Sequence, residues 1–149
     1  MRTCMNNMDE TIESYQRERR AEEDMQDIKY GYDVLEKLGE MDVGQSCVVQ
    51  RGVVLGLEAA EGTDALIERC GGYVKNGGGG VLVKRAKPTQ DMRLDIPTVG
   101  EVTIQKIKDA GLVGMALEAG RSQILNQTEV ISAADAAGLF VIGFDENDI

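Results

Sequence analysis

Five short runs of β-branched and aliphatic residues constrain this chain most: Cys47-Val48-Val49, Val53-Val54-Leu55-Gly56-Leu57, Val81-Leu82-Val83, Leu112 to Leu117, and Leu139 to Phe144. Each is too short for a buried helix and rich in residues that suit a pleated, packed surface. The first two flank Gln50-Arg51-Gly52, where the glycine permits a tight turn, so Ser46 to Glu58 is expected to form a β-hairpin. Beyond Thr63 the runs are separated by segments of helical character. Strands alternating with helices signal an α/β fold with at least part of the sheet parallel, and the hairpin adds an antiparallel piece. The expected architecture is a single domain, a mixed sheet with an early hairpin followed by alternating helices and strands.

Local signals set the expected boundaries. Ile28, Tyr32, Leu35 and Leu38 recur at helical spacing, with Gly39 as the expected stop. Thr63 is the expected N-cap of a helix from Asp64 to Cys70, ended by Gly71-Gly72, and Thr98 that of a helix to Ala110, stopped by Gly111. A further helix runs from Thr128 to Ala137, stopped by Gly138, and Ile124-Leu125 reads as a short strand. Residues 1–26 read as a charged extension, disordered or helical, before a domain over 27–149. Gly77 to Gly80 precedes a strand, whereas a P-loop follows one and opens a helix with Lys-Ser/Thr, so the run reads as a floppy connector or mobile lid.

Composition narrows the function. A net charge of −10 argues against nucleic acid, although one phosphate group can still be held by a local basic cluster. The chain has no histidine and three widely spaced cysteines, which disfavours a zinc site and removes Ser-His-Asp and Cys-His nucleophile schemes. The odd cysteine count and the absence of a secretory leader point to a reducing, cytoplasmic setting. No apolar run approaches the roughly 20 residues that span a bilayer. Catalysis must then use carboxylates, Lys, Arg, Tyr or a metal ion.

Carboxylates gather in two stretches. Glu58, Glu61 and Asp64 fall at a strand end and a helix start; the helix dipole accounts for Glu61 and Asp64, whereas Glu58 closes an apolar strand and must be paired, solvated or metal-bound. Asp91, Arg93 and Asp95 alternate, so an extended backbone turns all three to one side, as a charged edge strand or as metal ligands with a phosphate clamp. Lys84, Arg85 and Lys87 close a strand nearby. Glu58, Lys84 and Glu118 all fall at expected strand ends, where α/β sheets bind ligands. Oxygen donors beside a phosphate ligand suit magnesium.

These residues also resemble a known family. Asp27-Ile28-Lys29-Tyr30-Gly31, Asp42-Val43-Gly44-Gln45-Ser46, Val53 to Asp64, Gly80 to Lys84, Pro88 to Gly100 and Ala134 to Phe140 are similar, in this order, to the C-terminal domain of the LpxI-type UDP-2,3-diacylglucosamine pyrophosphatases. The resemblance implies a Mg2+-dependent hydrolase of lipid A biosynthesis that splits UDP-2,3-diacylglucosamine into UMP and 2,3-diacylglucosamine 1-phosphate. It implies a cytoplasmic homodimer working at the inner membrane face. Catalytic acidity then falls on Asp91 or Asp95, with Asp91 favoured and Glu58 and Glu61 beside them. Asp91, Asp95 and Asp64 are the expected metal ligands, and Lys84, Arg93, Thr63 and Gln45 the expected substrate contacts. Family members carry an N-terminal domain before this region, whose place here is taken by Met1 to Met25. A non-catalytic binding or dimerisation module is therefore the alternative reading.

Overall fold

A computed structural model describes residues 21–75, 78–87 and 98–144. Helix α1 (Ala21–Glu40) leads into strands β1 (Ser46–Gln50) and β2 (Val53–Leu57), then α2 (Thr63–Cys70) and a 3-10 turn at Gly71–Tyr73. There follow β3 (Val81–Lys84), β4 (Thr98–Val99), α3 (Glu101–Ala110), β5 (Gly114–Glu118), β6 (Gln123–Ile124), α4 (Gln127–Ala137) and β7 (Phe140–Phe144). The main sheet has the order β2-β1-β3-β5-β7. β3, β5 and β7 are parallel, β1 is antiparallel to both its neighbours, and β4 and β6 pair in parallel as a separate two-stranded sheet. This is the mixed α/β architecture expected from the alternation of apolar runs.

The pleat divides the core into two layers. Val48, Leu82, Met115, Leu117 and Val141 face α2, α3 and α4, packing against Leu66, Ile67, Ile104, Ile107 and Val130. Cys47, Val49, Val81, Val83, Ala116, Ile142 and Phe144 face α1, where Ile28, Tyr32 and Leu35 cover them. At Gly31 that helix lies so close to the sheet that a Cβ would sit 2.7 Å from Val83 Cγ2. The hairpin turns on Arg51 and Gly52, both at positive φ (50° and 77°). The Asp27 carboxylate accepts from the N–H of each, at 2.9 and 2.8 Å, tying the turn to α1. Opposite Val48 and Val49 the register of β2 slips by one residue, a bulge that bends this edge strand away from flat pairing.

Gly111 and Gly138 take the left-handed conformation and end α3 and α4 as expected. Other boundary expectations are corrected. Gly39 lies inside α1, which runs on to Glu40, and the left-handed residue is Asp42 (φ 57°). Thr63 and Thr98 do not cap helices. Gly62 and Gly100 occupy the N-cap positions, and Thr98 belongs to β4. Gly78 to Gly80 are held rather than floppy: Gly78 O accepts from Gln50 Nε2, Gly79 N–H donates to Gly111 O, and Gly80 O accepts from Val113 N–H. They precede β3, at the sheet end opposite Lys84, so these residues are no lid over that edge.

Candidate functional site

Topology assembles one sheet edge. β3 and β5 end there at Lys84 and Glu118; antiparallel β1 begins there at Ser46; β2 returns there to Leu57 and Glu58. Alternation then sorts the charged residues. Lys84 follows Leu82 by two and shares its face, toward α2, α3 and α4. Arg85 turns the other way, under α1. Its guanidinium stacks 3.8 Å from the Tyr32 ring centroid, donates to Tyr32 O at 3.1 Å, and lies 3.6 Å from Glu118. Glu118 also accepts from Ala86 N–H at 3.1 Å. Arg85 and Glu118 thus lock the strand end from the far side of the sheet. Lys87 pairs with Asp42 at 2.9 Å.

On the Lys84 side lies an open cleft of about 600 Å³. Its walls are the first turn of α2 (Gly62, Thr63, Asp64, Ala65), the first turn of α3 (Gly100 to Thr103) and Asn126, the N-cap of α4. Lys84 and Thr98 also line it. Three helix amino termini therefore open on one space, and none is closed by a side-chain cap. Each carries partial positive charge and backbone N–H groups lacking helical partners. With an ammonium group among them, the space favours a phosphorylated ligand. Glu61, Asp64 and Glu101 share the lining, so its charge is of mixed sign.

Beside this space is a directed hydrogen-bond network. Glu58 closes β2 with its carboxylate turned inward, only 9% exposed. One oxygen accepts from Gln45 N–H at 3.1 Å and the other from the Thr63 hydroxyl at 2.6 Å. The Lys84 ammonium donates to Thr63 Oγ1 at 2.8 Å and to Thr98 O at 3.3 Å. The Ser46 hydroxyl lies 2.9 Å from the same Thr63 oxygen. Gly44 must be glycine for this arrangement, because a Cβ there would meet Glu58 O at 2.0 Å.

The remaining candidates separate. Asp64 lies in the cleft wall and accepts from the Thr103 hydroxyl at 2.8 Å. Glu61 is gripped by Arg69, whose Nε donates at 3.2 Å, and the guanidinium holds this carboxyl below the usual carboxylate range. Gln45 contributes its backbone N–H to Glu58 and does not line the cleft. Asp91, Arg93 and Asp95 lie outside the described residues. Among the described residues, no group of three or more carboxylates and thiols is placed to hold a metal ion. Asp64 is the expected metal ligand that is described, and alone it makes no magnesium site. Ser46, Thr103 and Asn126 were not legible as site residues; only Asn126, a short polar residue ahead of a helical segment, carried a sequence signal. Among the described residues, no helix is long and apolar enough to cross a membrane.

Comparison with known proteins bears out the family resemblance read from the sequence. The LpxI C-terminal domain family matches residues 12–142. A protein named UDP-2,3-diacylglucosamine pyrophosphatase LpxI, from Caulobacter vibrioides, is 43% identical over 134 residues, covering 86% of this chain and 48% of that protein. The chain thus spans about half the length of the curated relative it matches. With the family matching most of its length and a relative 43% identical over 86% of it, the chain belongs to the LpxI family and corresponds to the family's C-terminal domain.

Proposed function

We propose that this chain supplies the phosphate-handling half of an enzyme that hydrolyses UDP-2,3-diacylglucosamine to UMP and 2,3-diacylglucosamine 1-phosphate in lipid A biosynthesis. The observation that carries the reading is Lys84, an ammonium group fixed by Thr63 and Thr98 at a cleft where three uncapped helix amino termini open. Splitting a diphosphate calls for neutralised charge on the phosphoryl oxygens and a placed water. Lys84 and the N–H groups at the starts of α2 and α3 supply fixed positive charge to those oxygens. Asp64, oriented by Thr103, is a carboxylate on the cleft wall available to orient water or a cation-bound substrate. Magnesium belongs to the proposal as charge neutralisation at the diphosphate, with Asp91, Asp95 and Asp64 as its ligands, and Asp91 as the essential acid. A cytoplasmic location, peripheral association with the inner membrane and a homodimer belong to it also, supported by the family resemblance alone.

The test is UMP release from UDP-2,3-diacylglucosamine, measured with magnesium and with chelator, with and without a supplied N-terminal half of the relative. Expected is magnesium-dependent release that falls about 100-fold or more in Lys84→Met and in Asp91→Ala, each with an unchanged circular dichroism spectrum. Release by Asp91→Ala at the normal rate rejects that assignment. Nucleotide-sugar binding without release under any condition supports instead a binding module.

A further inference from the structure

We infer that Thr63 is a positioning residue: its hydroxyl relays the Glu58 carboxylate to the Lys84 ammonium and so fixes that ammonium at the cleft. The direction of every hydrogen bond follows from valence. A hydroxyl has one proton and two lone pairs. The Thr63 oxygen lies 2.6 Å from a Glu58 oxygen, and an ionised carboxylate only accepts, so the Thr63 proton points to Glu58. An ammonium only donates, so Lys84 gives a proton to Thr63 at 2.8 Å. The Ser46 contact at 2.9 Å must then also run into Thr63, with Ser46 as donor. One donated and two accepted bonds use the full capacity of the hydroxyl.

Thr63 therefore has no donor left for a ligand, although its position in the cleft wall suggests one. Its effect on a bound phosphate passes through Lys84. Short charge-assisted bonds at both ends, to Glu58 and from Lys84, make it a stiff link. Lys84 is 8% exposed, and an ammonium so deeply set depends on fixed acceptors for its orientation. The four participants come from β1, the end of β2, the start of α2 and the end of β3, so the link exists only in the folded chain.

The experiment compares the full chain with Thr63→Val, which keeps the shape without the hydroxyl, and Thr63→Ser, which keeps the hydroxyl. The first readout is the side-chain 15N ammonium signal of Lys84, assigned by its loss in Lys84→Arg and visible because held ammonium protons exchange slowly. The second is the affinity for inorganic phosphate. Expected are loss of the slow-exchanging signal and about tenfold weaker phosphate binding in Thr63→Val, with both restored to within about threefold in Thr63→Ser. Retention of signal and affinity in Thr63→Val overturns the inference, as does a Thr63→Ser variant that behaves like the valine one. If Thr63→Val does not melt cooperatively, Thr63→Ala serves in its place under the same criteria. The phosphate arm rests on the proposed function, the ammonium arm does not. Absence of phosphate binding by the unaltered chain rejects the cleft as an anion site, while the ammonium signal still decides the role of Thr63.

Discussion

The Thr103 hydroxyl lies 2.8 Å from an oxygen of Asp64, joining the first turns of α3 and α2 across one wall of the cleft. Thr103 is 7% exposed, so the bond is shielded from water on the α3 side. Thr103→Val keeps the volume and removes the donor. It is expected to lower unfolding stability by about 1–2 kcal/mol, measured by denaturant titration, with Thr103→Ser recovering most of the loss. Equal stability in the valine variant shows that the two helix starts are held by packing alone.

Both Glu58 oxygens are committed, one to Gln45 N–H and one to the Thr63 hydroxyl. Glu58→Gln keeps the shape but offers one amide oxygen and one NH2, so one of the two donors meets another donor. A loss of about 1–3 kcal/mol in unfolding stability is expected. An unchanged denaturation midpoint removes Glu58 as the anchor of this edge.

Gly62 sets the angle at which α2 enters the cleft, with φ 90° and ψ 164°. That region of backbone space is accessible essentially to glycine alone, and side chains elsewhere are costly there by about 1–3 kcal/mol. A Cβ at Gly62 would meet nothing within 4 Å, so the cost of Gly62→Ala is purely conformational. The thermal midpoint of Gly62→Ala is expected to fall accordingly; a midpoint at or above that of the unaltered chain contradicts the turn geometry.

Burial pushes the Cys47 thiol up to about 12 from its ordinary value of 9.0. The thiolate forms more readily in the unfolded chain, so above pH 9 the unfolded state binds fewer protons and stability falls as pH rises toward 12. Cys47→Ala is expected to reduce the slope of unfolding free energy against pH between 9 and 11. At pH 8 Cys47 is expected to resist iodoacetamide in the folded chain and to react once unfolded, read by mass spectrometry.

Arg69 holds the Glu61 carboxyl low through its hydrogen bond. A depressed carboxyl contributes stability above its unfolded value and loses that contribution as pH falls through the folded one. Arg69→Met is expected to raise the Glu61 titration midpoint to the ordinary carboxylate range, followed by side-chain carbonyl NMR. A midpoint that does not move excludes the ion pair in solution.

The primary sequence by itself determined the strands of the main sheet and the helices that pack on them. Val-rich runs pair into strands, Gly52 permits the hairpin turn, and Gly111 and Gly138 end their helices, because each outcome depends on the conformational preferences of a few adjacent residues. It also placed Glu58, Lys84 and Glu118 at strand ends on one edge. Only the tertiary structure decided what their side chains do. The partners of Thr63 lie 5 residues away at Glu58, 17 at Ser46 and 21 at Lys84, and Thr103 reaches 39 residues to Asp64. A hydroxyl ahead of a helix serves equally as a cap or as a link between strands, and the choice rests on which acceptor the folded chain brings within hydrogen-bond reach. The same holds for Lys84 and Arg85: adjacent in the chain, they part to opposite faces of β3, one into the cleft and one beneath α1, because the pleat alternates and the sheet has a different layer on each side.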